Sequence, residues 1–179
     1  MTKNEKKHKM PAAAGSIVPE KLSDAYVALM LTLFLLWPGT HGYFAISDAK
    51  YRLFLALTGG YCALMLLTLA EMRLMRTMTG EALRAALRPG AVQWLVLGFA
   101  AASLVSTLLS QWRSEAWLGL SRHEGFLTIA LYVLSFLLLC AFGRPKRWML
   151  DLLGAAMCVF CVIAILQLLG KNPFSLYPE

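Results

Sequence analysis

Five long apolar runs, separated by short polar segments, dominate the pattern of this chain. They lie at about residues 22–42, 50–71, 91–111, 125–143 and 149–170. A helix rises about 1.5 Å per residue, so roughly 20 apolar residues cross a hydrocarbon core of about 30 Å. None of the runs shows the alternation of a barrel strand, and a helix satisfies its own backbone within lipid. The pattern therefore predicts an all-α membrane protein with about five transmembrane helices.

Composition and aromatic placement agree with this interpretation. Of the 179 residues, 59% are hydrophobic and 15% are charged, and the mean hydropathy is +0.61. A soluble domain carries about a quarter charged residues, so this chain lacks the polar surface of a soluble globule. Amphipathic rings favour the headgroup layer, and the tryptophans fall at or just beyond the ends of the runs: Trp37, Trp94, Trp112, Trp117 and Trp148.

Basic residues predict the orientation. A cytoplasmic N-terminus places twelve Lys and Arg residues inside and five outside, as the positive-inside rule requires. The C-terminus is then extracytoplasmic. Contact with anionic membrane lipid explains the net charge of +7, and no nucleic-acid partner is expected.

The segments outside the runs are short. Residues 1–20 are predicted to be a disordered basic cytoplasmic tail, and residues 21–179 to be the helical transmembrane region. Ser47 or Asp48 is a candidate cap for the second helix, and Gly170 marks the end of the fifth. The segment from Glu71 to Pro89 mixes arginines with apolar side chains, which indicates either a short amphipathic helix on the inner leaflet or a solvated connector.

Motifs for catalysis or metal binding are absent from the sequence. Cys158 and Cys161 form a C-x-x-C, but their neighbours carry no charge that would activate a thiol, so burial as small hydrophobic side chains is expected. The histidines do not cluster, and no phosphate-binding loop or dinucleotide fingerprint occurs. No metal and no cofactor are expected, and no run contains the deep ionisable residue of a proton-driven transporter.

The loop from Gln111 to Gly125 is dense in polar and aromatic side chains. Within it, Arg122 lies three residues after Gly119 and three before Gly125. Glycine allows a tight turn or a close approach to a ligand, and the planar fork of arginine suits a phosphate group. Arg122 is therefore a candidate phosphate-binding residue, and the alternative is a loop arginine that only lies along Trp117.

Two patches of the sequence carry a family resemblance. The first is S-T-L-L-S-Q-W at Ser106–Trp112, followed by G-L-S-R-H-E-G-F-L-T at Gly119–Thr128 and a helix that opens I-A-L-Y. The second is I-L-Q-L-L-G-K-N-P-F-S-L-Y-P at Ile165–Pro178, with Gln167 late in the helix and Gly170 at its end. Together they resemble the bacterial O-antigen ligase and polymerase family.

The resemblance implies a multi-pass protein of the bacterial plasma (inner) membrane. Such proteins transfer a glycan from an undecaprenyl-pyrophosphate carrier to an acceptor, which is lipid A core sugar, a polysaccharide or a protein. Outward-facing arginines hold the pyrophosphate, a role that the resemblance assigns to Arg122 and, as a weaker second, to Arg113. His123 and Glu124 would be supporting residues, and no cofactor is required.

Five spans match only the N-terminal portion of a member of this family. We therefore expect the chain alone to lack a complete active site, because the family's large later loop has no counterpart here. Gln167 is expected to form hydrogen bonds between helices. The alternative function is that of a non-catalytic small membrane protein, or of a scaffold or transporter subunit.

Overall fold

The computed structural model describes residues 17–37, 46–120 and 123–171, and within these ranges it contains helices and no strands. The α-helices are α1 (Ile17–Leu29), α2 (Ile46–Phe54), α3 (Gly60–Leu74), α4 (Gly80–Ala86), α5 (Ala91–Leu109), α6 (Arg113–Leu118), α7 (Phe126–Phe142) and α8 (Arg147–Leu168). Helix α1 continues as a π-helix over Met30–Phe34, and a second π-helix over Leu55–Gly59 joins α2 to α3.

Three of the helices are long and apolar enough to cross a membrane. They are the continuous helix Ile46–Leu74 with 29 residues, Ala91–Leu109 with 19 and Arg147–Leu168 with 22. Helix α7 is apolar but shorter, with 17 residues. The prediction of an all-α protein is confirmed for the described residues, and three helices have the length and hydropathy that a membrane span requires.

Helices α1, α3 and α7 form the core of the bundle, and α5 packs on α7 while α8 packs on α1. At the centre, Tyr26 stacks on Tyr61 with ring centroids 4.3 Å apart and an interplanar angle of 7°. The buried core cluster consists of Tyr26, Tyr61, Cys62, Met65, Leu69, Met78, Leu138 and Phe142. Helices α5 and α8 flank this core and leave most of their apolar side chains exposed.

Buried hydroxyl groups fix α1 against the helix that runs from α2 to α3. Ser23 Oγ donates to the carbonyl oxygen of Pro19 at 3.0 Å and lies 3.0 Å from the hydroxyl of Tyr61. The hydroxyl of Tyr26 lies 3.0 Å from Thr58 Oγ1. Because an unpaired buried hydroxyl is costly, both pairs favour a single register between the two helices.

Contacts at the helix ends define two ends of the bundle. At the Lys146 end, α1 begins and α3 and α7 end. The connection that contains α4 and the connection that contains Lys146 also lie at this end. At the His123 end, the helix that contains α1 ends, α2 begins, and residues 110–125 connect α5 to α7. There Lys50 Nζ donates to the carbonyl oxygen of Leu35 at 3.2 Å and so satisfies one of the free carbonyls at a helix end.

An ionic cluster ties α8 to α1 at the Lys146 end. Lys146 Nζ lies 2.9 Å from Glu20 Oε1 and also donates to Asp24 Oδ2, and Arg144 Nε lies 3.5 Å from Glu20 Oε2. The hydrogen bond from Lys146, with the nearby Arg144, holds the pKa of Glu20 below its ordinary value. Hydrogen bonds to Asp24 and Glu20 raise the pKa of Lys146.

The segment between α3 and α5 contains a short helix, which was one of the two structures predicted for it. Helix α4 begins after Thr79, whose Oγ1 accepts from the backbone N–H of Ala82 at 3.2 Å and caps the helix. Met78 is buried against the core. Helix α4 is therefore held against the Lys146 end of the bundle.

Two predicted helix starts were wrong. Helix α1 begins at Ile17, so residues 17–20 belong to the helix and not to the expected tail, whose residues 1–16 lie outside the described ranges. Helix α2 begins at Ile46, so Ser47 and Asp48 lie inside its first turn and neither caps it.

Helix α8 ends next to the glycine that the sequence marks as a stop. Gly170 has φ +73°, its N–H donates to the carbonyl of Gln167, and the N–H of Lys171 donates to the carbonyl of Leu166, both at 3.0 Å. This is the Schellman arrangement. The burial expected for Cys158 and Cys161 was wrong: both are exposed, because only one side of α8 packs on α1.

Candidate functional site

Two glycines bring the ends of the loop between α6 and α7 together. Gly119 has φ +80°, and a Cβ atom on it would lie 2.4 Å from the backbone nitrogen of Glu124. A Cβ on Gly125 would lie 2.4 Å from the backbone nitrogen of Gly119 and 2.4 Å from the carbonyl oxygen of Trp117. Since no real side chain fits at such distances, both positions require glycine.

His123 has an unusual backbone conformation that its neighbours fix. Its φ is +55°, in the left-handed region that few residues other than glycine adopt. The N–H of His123 donates to the carbonyl of Leu120 at 2.7 Å. Thr128 Oγ1 donates to the carbonyl of His123, also at 2.7 Å. Both backbone groups of this strained residue are therefore satisfied, and its side chain has a defined direction.

The imidazole of His123 contacts two side chains of α2. Its Nε2 lies 2.9 Å from Asp48 Oδ1, and its ring stacks on Tyr51 with centroids 4.3 Å apart and an interplanar angle of 11°. Asp48 and Tyr51 are three residues apart on a helix, so they share one face. Asp48 also lies in the first turn of α2, where the helix dipole favours a carboxylate.

This arrangement can accept a proton. A carboxylate on Nε2 favours the tautomer that carries its hydrogen there, which leaves the lone pair of Nδ1 free. The carboxylate also holds the ring in position, as in other His–Asp pairs. The side chains of His123 and Asp48 are 34% and 56% exposed, so a substrate can reach them. A general base with a positioning carboxylate would need this arrangement.

An apolar cavity opens beside Glu124, the residue that follows His123. It has a volume of about 440 Å³ and lies between α5 and α7, lined by Val96, Phe99, Tyr132 and Val133 among others. Glu124, which directly follows His123, lines its side at the His123 end. Polar side chains and an apolar cavity are thus neighbours, which suits a ligand with both a polar and an apolar part.

The candidate residues from the sequence lie in different parts of the structure. Gly119 and Gly125 lie against each other, and Arg113 is the exposed first residue of α6. Arg122 lies outside the described residues. Gln167 and Gly170 lie at the end of α8, and Gln167 is partly exposed.

Asp48 and Tyr51 are the residues of this site that the sequence analysis missed. Asp48 and His123 are 75 positions apart, and no local pattern links positions at that separation. A signal was nevertheless present, since the predicted topology puts the start of the second helix and the Gln111–Gly125 loop on the same side of the membrane. From the sequence alone, Asp48 was only a candidate helix cap.

The described part of the chain contains no candidate metal site. Among residues 17–37, 46–120 and 123–171, no group of three or more His, Cys, Asp or Glu side chains could hold a metal ion.

No family model, no curated protein and no solved structure matches this chain. The family resemblance of the two sequence patches therefore stays a prediction. The chemistry of the His123 end and the sequence are the observations that bear on function.

Proposed function

We propose that this protein crosses the plasma membrane of a bacterium five times, with its N-terminus in the cytoplasm and its C-terminus outside. Besides the three long apolar helices, the helix that contains α1 and the apolar helix α7 supply the other two spans. The arginines of residues 71–90, with Arg144 and Lys146, lie at the Lys146 end, so the positive-inside rule makes that end cytoplasmic. The His123 end then faces outward.

At its outer face the protein takes part in transfer of a glycan from an undecaprenyl-pyrophosphate carrier to an acceptor hydroxyl. The observation that carries this proposal is the pairing of His123 with Asp48 beside Tyr51. In the reaction, the acceptor oxygen bonds to the anomeric carbon while the bond from that carbon to the pyrophosphate oxygen breaks. Nδ1 of His123 takes the hydroxyl proton, and the lipid pyrophosphate leaves with the electron pair.

Two arginines of the Gln111–Gly125 segment of the sequence suit the leaving group. Arg122 directly precedes His123 in the sequence, and Arg113 opens the adjacent helix α6. Two-point hydrogen bonds from a guanidinium stabilise the negative charge that develops on a leaving phosphate. The cavity beside Glu124 suits the apolar part of a lipid-linked substrate, because most of its lining is hydrocarbon.

The test is glycan transfer by membranes that contain the full product of the gene. His123→Gln removes the base, and loss of a general base lowers a rate by roughly 10²–10⁴-fold. Asp48→Asn is expected to lower transfer and to change its pH profile, since the carboxylate acts through His123. Asp151→Asn is the matched control, because Asp151 is an exposed carboxylate near the start of α8. Transfer by His123→Gln at the wild-type rate, with equal protein abundance, would contradict the proposal.

A second function, that of a non-catalytic subunit, is favoured by the open faces of α5 and α8. Leu95 is 75% exposed and Leu168 is 86% exposed, and such faces suit either lipid or partner helices. A scaffold would keep its partners bound after His123→Gln, and transfer by the assembly would not change. The same experiment therefore distinguishes the two functions.

A further inference from the structure

A second pocket lies at the Lys146 end of the bundle, away from His123. It has a volume of about 240 Å³ and lies between the connection that follows α4, helix α5 and helix α7. Arg88 and Gln93 line it close to the start of α5, while Leu97 and Leu137 line it further along the bundle. The pocket thus has a polar entrance and an apolar interior.

Exposed arginines lie near this pocket in the sequence, and one of them, Arg88, lines it. The arginines from the end of α3 to the start of α5 are exposed: Arg73, Arg76, Arg84 and Arg88. The ion pairs found in the described part of the chain involve other basic residues, namely His123, Arg144 and Lys146. Arg84 lies in the last turn of α4, and Arg88 lies in the connection just after it.

The region from the end of α3 to the start of α5 also exposes large apolar side chains. Leu74 is 84% exposed, Met75 is 66% exposed and Leu87 is 46% exposed. Arginines interleaved with exposed apolar side chains are typical of a segment that lies in the headgroup layer of a membrane. With the orientation proposed above, on which this inference rests, the entrance of the pocket lies at the depth of the lipid phosphates.

Gln93 adds a hydrogen-bond donor to the entrance. Its Oε1 accepts from the backbone N–H of Gly90 at 3.0 Å, which turns the amide so that its NH₂ group remains available to a ligand. A guanidinium and an amide donor above an apolar pocket match a phosphate that is attached to a hydrocarbon chain.

We propose that this pocket binds one anionic glycerophospholipid from the cytoplasmic leaflet. Its phosphate contacts Arg84 and Arg88, its headgroup accepts from the amide of Gln93, and one acyl chain lies along Leu97 and Leu137. This binding is independent of the glycan chemistry at the His123 end. A free phosphate ion would leave the apolar part of the pocket unfilled, so the ligand is a lipid and not an inorganic anion.

The test uses the full chain, purified in detergent with phosphatidylcholine and titrated with phosphatidylglycerol. Bound lipid is counted by native mass spectrometry. Each basic side chain near the surface contributes about 1 kcal/mol to binding of anionic lipid, so Arg84→Gln with Arg88→Gln is expected to weaken binding by about 30-fold. The matched control, Arg52→Gln with Lys171→Gln, removes the same charge from the His123 end and is expected to bind like wild type.

Two further measurements separate the effect of charge from that of the guanidinium, and lipid binding from phosphate binding. Arg84→Lys with Arg88→Lys retains the charge and is expected to bind more tightly than the glutamine pair. Inorganic phosphate is expected not to displace the bound lipid. Equal binding by the glutamine pair and wild type, equal binding of phosphatidylcholine, or displacement by inorganic phosphate would overturn the proposal.

Discussion

A Cβ atom on Gly125 would lie 2.4 Å from the backbone nitrogen of Gly119, although five residues separate the two glycines. This backbone contact closes the loop that ends in His123 and Glu124. The direction of the His123 ring, and with it the contact to Asp48, depends on that closure.

Gly119→Ala is therefore expected to disrupt the His123 end. A side chain there meets backbone atoms and a positive φ, and a strained backbone residue costs about 1–3 kcal/mol. We expect a lower midpoint of thermal unfolding in detergent, together with loss of glycan transfer. Gly98→Ala is the matched control, because a Cβ on Gly98 meets nothing within 4 Å and alanine stabilises a helix interior relative to glycine. Equal midpoints for the two variants would show that the loop does not need this glycine contact.

The five-span orientation predicts which surface positions a reagent can reach. In a variant without the native cysteines, Ser114→Cys on α6 is expected to react with a membrane-impermeant maleimide in intact cells. Ala85→Cys on α4 is expected to react only after the cells are permeabilised. Both native residues are exposed, so a difference in labelling reports sidedness and not burial. Labelling of Ala85→Cys in intact cells would contradict a cytoplasmic Lys146 end.

The ionic cluster predicts how stability depends on pH. The pKa of Glu20 is lowered in the folded protein, so its stabilising contribution is present above the ordinary value of 4.5 and is lost as the pH falls through the lower, folded value. The pKa of Lys146 is raised, so its contribution is present below the ordinary value of 10.5 and is lost as the pH rises beyond the raised value.

Thermal unfolding in detergent between pH 3 and pH 7 checks the acidic limb of this dependence. Wild type is expected to lose stability on acidification, and Glu20→Gln is expected to lose less, since it lacks the titrating carboxylate. Glu81→Gln is a suitable control, because Glu81 is exposed on α4. Identical acid dependence in wild type and Glu20→Gln would exclude a stabilising role for the Glu20–Lys146 pair.

The sequence predicted the helices well because a helix long enough to cross a membrane requires a long run of apolar residues. Residues 91–111 correspond to Ala91–Leu109, and 125–143 to Phe126–Phe142. Helix starts were less predictable: Ile17 and Ile46 each begin a helix before the apolar stretch that identified it, since a polar first turn resembles a connector.

The candidate site was only partly predictable from the sequence. Glycine spacing drew attention to Gly119 and Gly125 because their conformational freedom is a local property. The contact of His123 with Asp48 depends on how two distant segments pack. Apolar helices give little information about that packing, because lipid-facing and protein-facing positions have similar side chains.

The most direct test of the account is to find where a lipid pyrophosphate binds. A photoreactive polyprenyl pyrophosphate is added to membranes that contain the full gene product and excess phosphatidylglycerol, and cross-linked peptides are identified by mass spectrometry. We predict cross-links within residues 110–126, reduced by Arg122→Ala and partly retained by Arg122→Lys, which keeps the charge but not the two-point fork. Cross-links that fall only within residues 71–93, or that persist unchanged in Arg122→Ala, would contradict a pyrophosphate site at the His123 end.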